Sequence, residues 1–326
     1  MKGGPSVEQW NQLIVSFSSI DTSIIDYVNY ALFEVGALGT EVKYAQDYLE
    51  NHPNLFGEIP LDLPNSYLEH PVEVLGYFEE IPSKEKIEEI KLILSMYEKE
   101  TFEIRVESIK NENWQQNWMK YYEKERISRH LVIVPAWQEY KTKADEHVII
   151  LDPGVAFGTG NHPTTQLGGQ ALSIFMQGGE RVLDVGTGSG ILSFIASALG
   201  ASQVEGYDLD PQAVSSAKDN LELQKDSRIL KLIAEDAIKF GENDLMKGVN
   251  GPFDIIVANI LPHILVNMLE DAYRELTQEG YLILGGILET KGPEIEAALD
   301  KYNFKVIQKN QLGEWLGYIA KKGDID

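Results

Sequence analysis

Three glycines and two acids carry the first chemical signal in this chain. Gly186, Gly188 and Gly190 alternate with Thr187 and Ser189, directly after the apolar run Arg181–Val185 and directly before Ile191–Leu199, which has helical spacing. Asp184 stands two residues ahead of the first glycine, and Asp208 closes a second run, Gln203–Tyr207. Together they predict strand, tight turn, helix, strand and acid in one βαβ unit. Glycine lets backbone approach a ligand closely, because it lacks a Cβ and tolerates positive φ. A carboxylate at the end of the second strand accepts hydrogen bonds from both hydroxyls of a ribose. A nucleoside-containing ligand therefore belongs across these strand ends.

The spacing narrows the choice of nucleoside. Dinucleotide folds use GxGxxG, whose third glycine lets helix and strand pack closely. Here the pattern is GxGxG followed by Ile191 and Leu192, and no lysine or arginine lies between Val182 and Asp210. Nothing in the unit answers the charge of a pyrophosphate, whereas a carboxylate at Asp184 suits a cation. S-adenosylmethionine carries a sulfonium and an ammonium and no phosphate. It is the expected cofactor, cradled by Gly186 and Gly188 with Asp184 and Asp208 as the acids. The bland alternative for GxGxG alone is a structural turn.

A second constellation precedes this unit. Residues 151–165, LDPGVAFGTGNHPTT, gather Gly154, Gly158 and Gly160 around Phe157. A glycine-hinged loop there can fold over a ligand, bringing Phe157 and Gly158 to the cofactor. Thr164 and Thr165 either cap the following helix or bond the ligand, and for a Thr pair the cap is the stronger reading. His162 stays open between base, ligand and loop residue. No second histidine lies close by, so no metal site is expected. Asn259 ends the run Asp254–Ala258, at the edge where doubly wound sheets bind ligands. The run Arg228–Ile233 predicts the third strand, which puts Glu235 and Asp236 at its end, either facing an adenine amino group or solvated in a loop.

The elements that position these residues fall into two groups. Residues 1–110 read as strand, helix, strand, strand, helix, strand, with a Pro-rich insertion at about 45–71. That order predicts a smaller ferredoxin-like α+β domain, serving either to recognise a macromolecular partner or as a structural appendage. Residues 111–128 predict a helical linker, since Trp114, Trp118, Tyr121 and Tyr122 share one helix face. Residues 129–326 predict an α/β catalytic domain, with strands 254–258 and 280–285 after the glycine unit and an antiparallel pair, 304–309 and 315–321, at the end.

Composition removes several classes of function. The 326 residues give ample core for two domains. There is no cysteine, which excludes disulfides, thiolate metal sites and a cysteine nucleophile. The N-terminal stretch has no apolar h-region and no apolar run is long enough to span a bilayer, so a soluble, cytoplasmic protein is expected. Fifty-one acids against 28 bases give a net charge of −23. Such a field repels nucleic acid and anionic membranes and favours a basic partner. Nothing demands more than a monomer.

Several of these segments together resemble the ribosomal protein L11 methyltransferase family (PrmA). They are residues 151–165, LDVGTGSGIL at 183–192, DLDP at 208–211 and ANIL at 258–261, with ENWQQNW at 112–118 and GEWL at 313–316. The FGTGxHPTT loop is the specific element. Asn161 stands where threonine is common, and Gly285-Gly286 where Ser-Gly is usual. The resemblance implies a Rossmann-like seven-stranded methyltransferase domain, joined by a linker to a substrate-recognition domain. It implies methyl transfer to lysine ε-amines and the N-terminal α-amine of a basic large-subunit ribosomal protein, with trimethylated products. It carries cofactor contacts onto Thr165, Gly186, Asp208 and Asn259, with Asn259 also aiming the acceptor amine. Rival readings are a related methyltransferase with another acceptor, a nicotinamide-dependent oxidoreductase, and a non-catalytic S-adenosylmethionine sensor or assembly factor. The glycine spacing weighs against the oxidoreductase.

Overall fold

A computed structural model describes residues 9–18, 22–37, 39–43, 72–78, 80–95, 100–110, 124–152 and 162–323. The chain forms two compact units, Met1–Tyr122 and Glu123–Asp326. The Pro-rich insertion, the aromatic stripe from Trp114 to Tyr122, and Phe157 and Gly158 of the glycine-hinged loop lie outside the described residues.

The first unit has the element order read from its sequence: β1 (Gln9–Phe17), α1 (Thr22–Glu34), β2 (Gly39–Lys43), β3 (Val72–Phe78), α2 (Lys84–Ser95) and β4 (Glu103–Lys110). Its four strands lie in the order β2-β3-β1-β4, every pair antiparallel, which is the ferredoxin-like arrangement. Apolar side chains at helical spacing bury one face of each helix: Val28, Ala31 and Leu32 on α1, Ile90, Ile93 and Leu94 on α2. The Tyr27 hydroxyl donates to the Ile93 carbonyl and ties the two helices.

The second unit opens with a three-stranded sheet, β5 (Glu125–Ser128), β6 (Leu131–Pro135) and β7 (His147–Leu151). Residues 125–128, included in the expected helical linker, are therefore strand; Ile127 buries its side chain there and the segment pairs with β6. Next comes α3 (Pro163–Phe175), followed by β8 (Arg181–Val185), α4 (Ile191–Leu199) and β9 (Gln203–Asp208). The chain continues through α5 (Pro211–Leu223), α6 (Ser227–Ala234), β10 (Ile238–Glu242), β11 (Phe253–Asn259) and α7 (Pro262–Glu275). It ends with β12 (Leu276–Leu288), α8 (Gly292–Lys301), β13 (Phe304–Leu312) and β14 (Trp315–Lys322).

Seven strands form one sheet in the order β10-β9-β8-β11-β12-β14-β13. All pairs are parallel except those made by β14. The strand order reverses between β8 and β11, which makes that crevice the ligand-binding edge of the sheet. One core, including Phe194, Ile195, Val182 and Ile255, packs α3, α4 and α6 on one face. The other, including Leu265, Met268, Leu269, Ile295 and Leu299, packs α7 and α8 on the opposite face. Gly169 lets α3 approach α4 and β5 closely, because a Cβ there would lie 2.8 Å from Ile127 Cγ2 and 3.0 Å from Ile195 Cδ1.

One strand expectation fails. Residues 228–233 belong to α6, not to the third strand. Asp226 caps the helix through the N–H groups of Arg228 and Ile229, and Ile229 and Leu232, three apart, are its buried pair. The strand comes later, at β10. Glu235 and Asp236 consequently lie between α6 and β10, at the N-terminal end of that strand and away from the ligand edge. Among the described residues, no helix is long and apolar enough to cross a membrane.

Candidate active site

The turn after β8 is pinned to the end of β9, with the Gly186 and Thr187 N–H groups both donating to the Tyr207 carbonyl. Gly186, Gly188 and Gly190 all have positive φ, at 71°, 54° and 84°, a region costly for a residue with a Cβ. A Cβ on Gly186 would also run into Ile260 Cγ2, so the turn and the segment after β11 pack against each other. Gly190 ends the turn as the N-cap of α4 and has no side chain with which to cap it. Asp184 does so from β8. Its Oδ2 accepts from the Ser193 N–H at 3.1 Å, the Ser193 hydroxyl at 2.7 Å and the Thr187 hydroxyl at 2.7 Å. Burial raises the Asp184 carboxyl to about 6, against the lowering effect of those donors. Its Oδ1 has no hydrogen-bond partner among the described residues.

Asp208 closes β9 beside this turn. Its Oδ2 accepts from the Gly188 N–H at 2.9 Å and its Oδ1 from the Asp210 N–H at 3.0 Å. The Leu209 N–H also bonds this carboxylate, which retains acceptor capacity for a further donor. Burial raises its pKa, opposed by these backbone donors. Asn220 on α5 braces the turn from behind. Its Nδ2 donates to the Ser189 carbonyl at 3.1 Å, while its Oδ1 accepts from the Asp152 N–H at 2.8 Å.

Asn259 sits at the end of β11, next to Gly285 on β12. Its Nδ2 donates to Thr164 Oγ1 at 3.1 Å. Thr164 Oγ1 lies 2.8 Å from His162 Nδ1, and the Thr164 N–H donates to the same nitrogen at 3.3 Å. Burial lowers the His162 imidazole to about 3, and its ring stands edge-on to Trp315, 4.9 Å between centroids. The cap of α3 is thus His162. The Thr pair, expected to cap, turns inward instead, with both residues fully buried. The physical reason is Pro163, which takes the first helical position and leaves residue 162 as the cap. Thr165 Oγ1 and Asn259 Oδ1 are buried with no partner among the described residues.

Of the residues singled out in the sequence, Asp184, Gly186, Gly188 and Asp208 gather around one turn. Thr165 and Asn259 are linked to each other through neighbouring Thr164. The sequence reading missed Asn220, whose only trace was its place on the helix after DLDP, and the coupling of His162 to Trp315. The GEWL segment at 313–316 carried that second signal, but a pairing this distant in the chain has no local signature. Among the described residues no group of His, Asp and Glu is placed to hold a metal ion.

The donor set fits a cationic nucleoside. Two acids, an amide oxygen and a hydroxyl offer acceptors at the switch point between β8 and β11 of the seven-stranded sheet. This fold and site define a Rossmann-like, S-adenosylmethionine-dependent methyltransferase. The model of the ribosomal protein L11 methyltransferase (PrmA) family matches residues 9–323, and the chain belongs to that family. A ribosomal protein L11 methyltransferase from Streptococcus uberis is 38% identical over 324 residues, covering 98% of both chains. One from Limosilactobacillus fermentum is 39% identical over 325 residues, covering 96% of this chain and 98% of the relative. The crystal structure of a ribosomal protein L11 methylase from Lactobacillus delbrueckii subsp. bulgaricus superposes with a TM-score of 0.56 at 36% identity. That superposition covers 62% of this chain and all of the other.

Proposed function

We propose that the protein transfers methyl groups to lysine ε-amines and the N-terminal α-amine of ribosomal protein L11, giving trimethylated products. Family membership supports the substrate. The observation that carries the chemistry is Asn259 Oδ1, a buried acceptor without a partner at the ligand edge. S-adenosylmethionine, when bound, supplies an electrophilic methyl on a positively charged sulfur.

The chain's own residues do the rest. Asp208, at the end of β9, accepts from the ribose hydroxyls, and Gly186 and Gly188 let the backbone come close. Thr165 and Asn259 hold the amino-acid end, and Phe157 and Gly158 complete the proposed set of cofactor-binding residues. Asp184 acts mainly by shaping the turn, since three donors already occupy its Oδ2. A lysine amine has an ordinary pKa of about 10.4, so it must shed a proton before attack, and desolvation in a closed site lowers that value. Asn259 Oδ1 accepts one N–H of the unmethylated and then the monomethylated amine and so aims the lone pair at the methyl, whereas the neutral dimethylated amine of the third transfer has no N–H left to offer it. Among the described residues His162, at about 3, is too weak a base to take the proton. The proton therefore leaves to water, and the amine turns between transfers. The first unit serves as the recognition domain, and the net charge of −23 supports a basic protein as its partner.

The test is incubation of purified L11 with S-adenosylmethionine and the protein, read by intact-mass spectrometry. Gains in multiples of three methyls, mapped to amines, are expected. Cofactor binding without transfer to L11 would overturn the substrate assignment.

A further inference from the structure

An amide can serve an attacking amine only one way round. Turned with its oxygen outward, Asn259 accepts an N–H and leaves the lone pair of the amine free. Turned with its nitrogen outward, it would donate into that lone pair and quench the nucleophile. We propose that His162, acting through Thr164, is a positioning residue that fixes the Asn259 amide with Oδ1 toward the methyl acceptor. The proposal rests on the amine-acceptor reading above and explains what enforces it.

The polarity originates at a backbone group. The Thr164 N–H can only donate, and it meets His162 Nδ1 at 3.3 Å, so Nδ1 is the unprotonated ring nitrogen. The Thr164 hydroxyl, 2.8 Å from the same atom, donates to it as well. With its proton committed, Thr164 Oγ1 offers Asn259 only lone pairs, and only the NH2 of the amide can meet them, at 3.1 Å. The oxygen is left facing the other way. Burial favours the neutral imidazole, and the edge-on ring of Trp315 packs against it. Gly285 keeps the space beside the oxygen open, since a Cβ there would lie 2.8 Å from Asn259 Oδ1. The helix cap and the catalytic amide are thus one chain of hydrogen bonds with a single allowed direction.

The test compares Thr164→Val, which keeps shape and removes both bonds, with Thr164→Ser, which keeps them. Four quantities are measured: kcat and KM for L11, calorimetric affinity for S-adenosylmethionine, and melting temperature. Thr164→Val is expected to lower kcat about 10- to 30-fold while KM and cofactor affinity stay within about threefold. Thr164→Ser is expected to restore kcat to within about threefold of wild type. An unchanged kcat in Thr164→Val overturns the proposal, as does a loss of rate matched by a loss of cofactor affinity. Independently of activity, 15N-histidine NMR of the wild-type protein at neutral pH is expected to show His162 Nδ1 unprotonated and hydrogen-bonded. A protonated Nδ1 overturns the proposal even if Thr164→Val does not fold. Wild-type protein that leaves L11 unmethylated would defeat the functional reading instead, and the NMR result would still decide the direction of the chain.

Discussion

Asn259 and Asp184 are both buried polar groups with one oxygen left over, yet they do different work. Asn259 stands where the acceptor amine must be aimed. Asn259→Ala is expected to lower kcat about 100-fold, with cofactor affinity falling much less, because the group that aims the amine is lost while Thr165 and Asp208 still hold the cofactor. Asp184 is a clamp with a pH signature. Its folded pKa of about 6 exceeds an unfolded value of about 3.9. Between those values the folded state holds a proton that the unfolded state lacks, so acidification through this window favours folding. The shift corresponds to about 3 kcal/mol in all. His162 acts oppositely: its folded value of about 3 lies below the unfolded value of about 6.5, so stability is lost as pH falls through that range. Asp184→Asn removes the opposing contribution. Its thermal midpoint is therefore expected to fall more steeply than wild type between about pH 6 and pH 4.

The glycine turn and the segment after β11 form one structural joint. Gly186 needs its positive φ of 71° and also meets Ile260. Gly186→Ala is expected to destabilise by about 2 to 4 kcal/mol, from backbone strain plus the clash. Adding Ile260→Ala should recover the steric part and leave the strain. Gly286 behaves differently. With φ at 76°, its Cβ would lie 2.5 Å from the Ile260 carbonyl oxygen, and no side-chain change relieves contact with backbone. Paired denaturation of Gly186→Ala and Gly286→Ala, each with and without Ile260→Ala, separates the two cases. Asn220 joins a third segment to this joint. Asn220→Leu is expected to cost about 1 to 3 kcal/mol by removing its buried bonds to the Ser189 carbonyl and the Asp152 N–H, read by the same denaturation.

At the scale of the molecule, two units and a strongly negative field matter most. Residues 123–326 contain both cores of the large sheet and the whole described site. Expressed alone, they are expected to bind S-adenosylmethionine at near wild-type affinity and to lose most kcat/KM for L11; equal activity would remove the recognition role of the first unit. The net charge of −23 should steer a basic substrate. The kcat/KM value is expected to fall several-fold as salt rises from about 0.05 to 0.5 M, with kcat nearly constant. What the sequence by itself determined were the features written in neighbouring residues. Those were the strand-turn-acid unit from Arg181 to Asp208, the βαββαβ order, the absence of any cysteine chemistry, and Asn259 at a strand end. Its one misplaced strand, 228–233, came from an apolar run whose periods overlap: Ile229, Leu230, Leu232 and Ile233 suit either geometry, and only packing of Ile229 and Leu232 selected a helix. Tertiary structure alone decided which Thr164 atoms face the site and that Trp315 and Gly285 frame His162 and Asn259, whereas the His162 cap of α3 follows from Pro163 beside it. Thr164 and Asn259 lie 95 positions apart, and His162 and Trp315 farther still. Hydrogen-bond direction depends on which groups meet, and local spacing carries no record of it.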